Sequence, residues 1–348
     1  MNRIFYIHSN ILAICCYQTV KDALAQSDKV IIITDRSCGW HFFQGKVIVY
    51  DFASLFDNEY NKRVSFHGLG FFWDYYKYRR YCHHLNKVVK TIVNEEDFIF
   101  YMPSMAKDVT VTFVYNKYCR GYYYVDEGTL AYRNQELLSQ MIPTNFTNSI
   151  RKLLKIEDHY HYEILPSFKG TVSITKEAFK WNKNNTRIVN PIKECVLELK
   201  TNMPSFDDVI VTSYFSEDIN IINKGIDYTI KFILNSNPDS RIGIKFHPFA
   251  ITNNNKKTSM VMQCIRNKYN ERISIIPNEV SIEAMSLVYH PRLFTLFALS
   301  SIILYGLLLK SSDGYLVYNE EDNVSIKQVD SVEEYFKLIG VAHNKGKK

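Results

Sequence analysis

The sequence predicts an α/β protein built from two doubly wound domains, and three observations lead there. Short, continuously apolar runs such as Val30-Ile-Ile-Ile33 and Val209-Ile-Val211 recur along the chain. They suit strands of a parallel sheet covered on both faces. Stretches with helical spacing alternate with these runs, the rhythm of βαβ units. The rhythm breaks at residues 181–208, a polar stretch holding Pro191, Pro204 and Asp207-Asp208, and then restarts. At 348 residues the chain is long for one core. The domains are therefore expected at 1–190 and 205–348.

The first half opens with a buried strand over 3–8 and a helix over 11–25, capped by Ser9 or Asn10. Strands follow at 29–34 and 46–50. Residues 71–92 form an aromatic and basic helix, with Lys77, Arg79, Arg80, Lys87 and Lys90 among Trp73, Tyr75, Tyr76 and Tyr78. Further strands are predicted at 97–101, at Val109–Val114 from its β-branched alternation, and at Tyr122–Val125. Helical patterning returns over 133–155. The second half predicts strands at 208–213, 242–246, 273–276, 293–297 and 315–318. Helices are expected near 217–234, 257–269, 281–289, from 300, and over 332–341.

Composition narrows the function. The net charge of +6 favours anionic partners but lacks the clustered arginines of a nucleic-acid binder. Seven scattered cysteines with no Cys-x-x-Cys pair read as reduced thiols of a cytoplasmic protein, not as a disulfide framework or a zinc site. His83-His84 and His159-Tyr-His161 have no carboxylate or cysteine at ligand spacing. The N-terminal segment does not read as a signal peptide. Leu293–Leu309 is almost wholly apolar, yet its 17 residues contain Ser300-Ser301. That pattern predicts a buried strand, a turn and a buried helix rather than a membrane span.

Three clusters fall at predicted carboxyl ends of strands, where open α/β sheets bind ligands. Asp126-Glu127-Gly128 closes one strand, Lys245-x-His247-Pro248 another, and Ser300-Ser301 follows a third and opens a helix. Each also has a plain structural role: a turn, a histidine fixed by proline, a helix cap. Together they suit transfer from a phosphate-activated donor. Two hydroxyls and free N–H groups at a helix start can hold one phosphate. A histidine can assist its departure, and a carboxylate can deprotonate an attacking hydroxyl. Lys245, two residues before His247, is expected on the same side of its strand.

Asp126-Glu127-Gly128, His247-Pro248 and Ser300-Ser301, in this chain order, resemble the motif set of bacterial sialyltransferases of the GT-B type. That clan includes lipooligosaccharide sialyltransferases and polysialyltransferases. Ile244-Lys-Phe-His-Pro248 is close to its form, and Ile276-Pro-Asn-Glu-Val-Ser-Ile-Glu283 looks like the segment whose glutamate binds the ribose. The resemblance implies a GT-B fold, two facing Rossmann-like domains with a central cleft, and an inverting sialyltransferase using CMP-Neu5Ac. It makes Asp126 the general base, with Glu127 as runner-up, and His247 the group that protonates or stabilises the departing phosphate. CMP would be held by Lys245, His247, Pro248, Glu283, Ser300 and Ser301. No cofactor is implied, and no metal, because CMP carries a single phosphate.

The acceptor implied is a galactose-terminated surface glycan such as lipopolysaccharide, O-antigen or a capsule precursor. The aromatic stretches at 71–81 and 113–124 would offer it stacking surface. Such glycans are lipid-linked at the cytoplasmic face, so the 71–92 helix and the Lys345–Lys348 tail could meet an anionic membrane. The alternatives are a transferase for another CMP-activated acidic sugar, of Kdo or legionaminic type, and a non-catalytic glycan-binding or membrane-peripheral protein.

Overall fold

A computed structural model of the chain describes residues 1–35, 47–52, 71–103, 108–132, 166–180, 182, 186–189, 203–212, 218–247, 255–269, 272–277, 280–320 and 323–345. The chain divides into two compact units, Met1–Pro191 and Ile192–Lys348. The helical stretch expected over 133–155 lies outside the described residues.

Unit 1 carries a sheet in the order β3-β2-β1-β4-β5-β6-β7. Its strands are β1 (Asn2–Tyr6), β2 (Lys29–Thr34), β3 (Ile48–Asp51), β4 (Phe98–Pro103), β5 (Cys119–Val125), β6 (Phe168–Ser173) and β7 (Thr186–Ile188). All the pairings are parallel. The order reverses between β1 and β4, so the two neighbouring strands send their connections in opposite directions. Helix α1 (Asn10–Ala25) follows β1, its first turn capped by the Ser9 hydroxyl. It buries Ile11, Leu12, Ile14, Cys15, Cys16 and Val20. Burial of this kind stabilises by about 1.5–3 kcal/mol per large aliphatic side chain.

Helix α2 (Phe71–Val93) packs Tyr81, Leu85, Val89 and Ile92 into the core. Its outer face exposes Arg79, Arg80, His83, His84, Lys87 and Lys90. No described carboxylate pairs with those arginines and lysines.

Val109–Val114 corrects the sequence expectation: it lies within a helix, α3 (Asp108–Val114), and not in a strand. The buried positions Val109, Thr110, Phe113 and Val114 follow helical spacing. Topology overrides β propensity here, because β4 and β5 are parallel neighbours and parallel neighbours need a crossover between them. The rings of 113–124 are largely committed to packing. Phe113, Tyr122 and Tyr124 are core, and Phe5, Tyr101 and Tyr123 stack across β1, β4 and β5 at 4.4 and 5.0 Å. The part of the expected acceptor-stacking surface at 113–124 is therefore mostly interior.

Unit 2 repeats the plan in the order β10-β9-β8-β11-β12-β13. The strands are β8 (Asp208–Thr212), β9 (Ile242–Lys245), β10 (Ile273–Ile275), β11 (Arg292–Leu296), β12 (Gly314–Glu320) and β13 (Asn323–Val329). β13 pairs antiparallel with β12, and the other pairings are parallel. The reversal here lies between β8 and β11. The helices are α4 (Ile219–Ser236), α5 (Asn255–Tyr269), α6 (Ile282–Tyr289), α7 (Ser301–Leu309) and α8 (Val332–Lys345). Leu293–Leu309 thus resolves into strand, turn and helix. Among the described residues no helix is long and apolar enough to cross a membrane.

At the amino edge of this sheet Asp208, with a side chain 1% exposed, takes two bonds from Arg292, at 2.6 and 3.0 Å, and one from Ser240. This network ties β8, β11 and the segment leading into β9 together at the edge away from the candidate site.

Candidate functional site

In unit 1 the working residues gather where β5 ends. Gly128 has a φ of 120°, a conformation that favours glycine. It lets the chain turn back, so that its own N–H reaches Asp126 Oδ1 at 3.2 Å. Asp126 Oδ2 accepts from the Tyr132 hydroxyl at 2.7 Å and the Ser173 hydroxyl at 3.0 Å, and the Asp126 N–H donates to the Val172 carbonyl at 2.9 Å. The residue is 0% exposed. Burial, and then the Asp126 charge, push the Tyr132 phenol far above its ordinary range, so it stays an O–H donor. Burial first, and Asp126 second, also raise the Cys15 thiol well above its usual value, which leaves it neutral and inert. Asp126 is thus a carboxylate with donors on both oxygens and no surface.

Glu127 points elsewhere. Its Oε2 lies 3.7 Å from Nε2 of His8, just past the end of β1, and the two side chains are 6% and 11% exposed. A hydrogen-bonded Asp thus anchors the turn, while the neighbouring Glu meets an ionisable partner.

In unit 2 the carboxyl ends of β8, β9 and β11 flank the strand reversal. His247 is exposed two residues beyond β9, and its N–H donates to Thr212 Oγ1 at the end of β8 at 3.4 Å. Ser300 caps α7, its hydroxyl accepting from the Ile302 N–H at 3.3 Å, and Ser301 begins the helix. Both serines are half-buried. Three residues before the cap, Phe297 adopts a φ of 60°, and its ring packs where Gly225 of α4 has no side chain. The backbone bend that presents Ser300 is therefore seated on a glycine of another element.

Lys245 behaves differently from its expected role at the nucleotide. It is 6% exposed, and its ammonium donates to the carbonyls of Pro277 and Val280. It clamps the segment between β10 and α6. Glu283 sits in the first turn of α6, where it accepts a bond from the capping Ser281 at 3.0 Å. A carboxylate is favoured at that position by the helix N-terminus alone. Pro248 lies outside the described residues.

The structure therefore brings Asp126 and Glu127 together in unit 1, and sets His247, Ser300 and Ser301 at one edge of the unit 2 sheet. Tyr132, Ser173, His8 and Thr212 were not legible as site residues, since none stands in a motif. Position after an apolar run was the one available signal for His8 and Thr212. Among the described residues, no three His, Cys, Asp or Glu side chains are grouped to hold a metal ion.

The chain matches no protein-family model and no curated protein. Among solved structures it is similar to Os79 from O. sativa in complex with UDP, at 10% identity and a TM-score of 0.53, over 99% of this chain and 92% of that one. It is also similar to the UDP-GlcNAc 2-epimerase from Methanocaldococcus jannaschii, at 12% identity and a TM-score of 0.45, over 100% and 94% of the two chains. A third is Anabaena Alr3699/HepE in complex with UDP and glucose, at 12% identity and a TM-score of 0.42, over 100% and 90%. The likeness to Os79 is one of fold: two Rossmann-like α/β units, the composition of GT-B proteins.

Proposed function

We propose that the chain is a glycosyltransferase that moves an acidic sugar, sialic acid first among them, from its CMP ester to a hydroxyl of a bacterial surface glycan. One observation carries this reading. Asp126-Glu127, His247 and Ser300-Ser301 all stand just beyond the carboxyl ends of parallel strands, β5, β9 and β11, where α/β sheets hold ligands.

In this reading Ser300, Ser301 and the positive N-terminal end of α7 bind the single phosphate. His247 gives a proton or hydrogen bond to the phosphate oxygen as its bond to the anomeric carbon breaks. The acceptor oxygen bonds that carbon with inversion and loses its proton to the carboxylate at the end of β5. The donor-saturated, fully buried Asp126 suits holding the turn, so Glu127 is assigned the proton and Asp126 the support. Glu283 is assigned the ribose. No step needs a metal, so EDTA is expected to leave turnover unchanged. The exposed basic face of α2 suits peripheral contact with an anionic membrane, where lipid-linked acceptors reside.

The test is CMP release from CMP-Neu5Ac with and without lactose, run beside CMP-Kdo and CMP-legionaminic acid, with CMP binding followed by calorimetry. Acceptor-dependent release that collapses in Glu127→Gln, while CMP still binds, is expected. Binding that survives Ser300→Ala/Ser301→Ala undiminished would remove the phosphate site. Absence of both binding and release with every donor would leave a glycan-binding protein.

A further inference from the structure

Outside the motif set, the imidazole of His8 meets Glu127, the carboxylate proposed to take the proton. His8 lies two residues past β1 and one before the cap of α1. β1 is one of the two strands at which the order of unit 1 reverses, the position where a doubly wound sheet opens to a ligand. Glu127 reaches it from β5, although β4 lies between the two strands. The separation of 3.7 Å is that of an ion pair or of a proton passed over a short approach. Tyr6 sets its ring edge-on to the imidazole at 5.5 Å, and its hydroxyl is tied to Asp35 at 2.8 Å. The histidine thus touches a fixed ring and also faces a carboxylate. Both are almost out of water, where such a pair acts more strongly than at a surface.

We infer that His8 is the proton partner of Glu127 in the transfer reaction, an inference that rests on the glycosyltransferase function proposed above. The acceptor hydroxyl gives its proton to Glu127 as its oxygen bonds the anomeric carbon and the phosphate departs. The proton then passes from Glu127 to Nε2 of neutral His8, restoring the carboxylate and leaving an imidazolium beside it. In water an imidazole holds a proton about two pKa units more tightly than a glutamate does, a difference that favours transfer in this direction. Water takes the proton from His8 before the next turnover. His8 touches no substrate atom in this scheme. It is a positioning residue that acts through Glu127.

His8→Gln keeps a polar side chain but cannot accept the proton. It should lower kcat about 10- to 100-fold, within the range of acid–base effects, and leave KM and CMP affinity within about twofold, as expected when ground-state binding is untouched. Imidazole added to His8→Ala should restore part of the rate. His8→Gln combined with Glu127→Gln should be little slower than Glu127→Gln alone. Wild-type kcat in His8→Gln would overturn the inference. So would a parallel fall of kcat and melting temperature in His8→Gln with no imidazole rescue of His8→Ala, since that is the mark of a structural histidine.

A second measurement stands apart from turnover. The NMR titration midpoint of the His8 imidazole should fall by about one pH unit in Glu127→Gln, because an adjacent carboxylate favours the imidazolium. If wild type turns over no CMP-sugar, the functional reading fails and this titration alone judges the pair. An unmoved midpoint overturns the coupling.

Discussion

Gly225→Ala should destabilise unit 2, although replacing a helical glycine by alanine ordinarily stabilises by roughly 0.5–1 kcal/mol. A Cβ built at Gly225 lies 2.5 Å from Cζ of Phe297 and 3.1 Å from Cε2. Carbons in contact prefer about 3.5–4.0 Å, so the ring must retreat by about 1 Å. Phe297 has little freedom to do so, because it is held at a φ of 60° and its N–H is bonded to the Val317 carbonyl at 2.7 Å. Overpacking of this kind costs about 1–3 kcal/mol, which exceeds the gain in helix propensity. The net loss expected is about 1–2 kcal/mol, or a fall in Tm of about 3–6 °C for a unit of this size. Urea and thermal denaturation measure it. Removing the ring in Gly225→Ala/Phe297→Ala should relieve the clash, so the double variant loses less than the two single losses added together. A Gly225→Ala protein that is as stable as wild type or more so would refute the seating of Phe297 on Gly225.

Two further predictions concern charge. Partial burial opposes the Asp227 carboxylate, but bonds from Lys231, Lys268 and Tyr269 outweigh it and hold its pKa down at about 2. A carboxyl lowered on folding contributes stability above its ordinary value of 3.8, and that contribution is lost as pH falls from about 4 through 2. Asp227→Asn should therefore cost on the order of 1 kcal/mol at pH 7, discounted because both lysines lie open to solvent, and almost nothing near pH 2; urea denaturation across pH would show it. Arg292→Ala should cost about 3 kcal/mol, because it strands the buried Asp208 carboxylate with Ser240 as its remaining side-chain donor. Adding Asp208→Asn should recover part of that loss, and a double variant no more stable than Arg292→Ala would show that the pair is not coupled.

The parallel sheets were legible because their central strands are apolar on both faces, as in Val30–Ile33 and Val209–Val211. The strands the sequence concealed are those at sheet margins. β6 reads Phe-Lys-Gly-Thr-Val-Ser, with a lysine and a glycine in its run, β7 has three residues, and β13 alternates polar and apolar residues over Asn323–Lys327, as an antiparallel edge does. α3 was misread because β-branched residues reward a strand locally while the crossover between β4 and β5 is a demand of the whole sheet. The candidate site shows the same division. Turn glycines, caps and strand ends are local and could be found. The partners of Asp126 are 6 and 47 residues away, and the carbonyls that engage Lys245 are 32 and 35 away.

That division bears on how the two acids at the end of β5 share their work. A carboxylate that takes a proton in turnover must be reached by a hydroxyl and must tolerate both charge states. Asp126 has no surface, and Gly128, Tyr132 and Ser173 all aim donors at it. Protonating it would set an O–H against those donors, which costs about as much as leaving a buried polar group unsatisfied. Its charge orders the turn, and the turn fixes the direction of the next side chain. Glu127, by contrast, meets the imidazole of His8 at 3.7 Å. In the proposed reaction the two adjacent acids therefore divide the work, Asp126 holding the turn and Glu127 taking the proton.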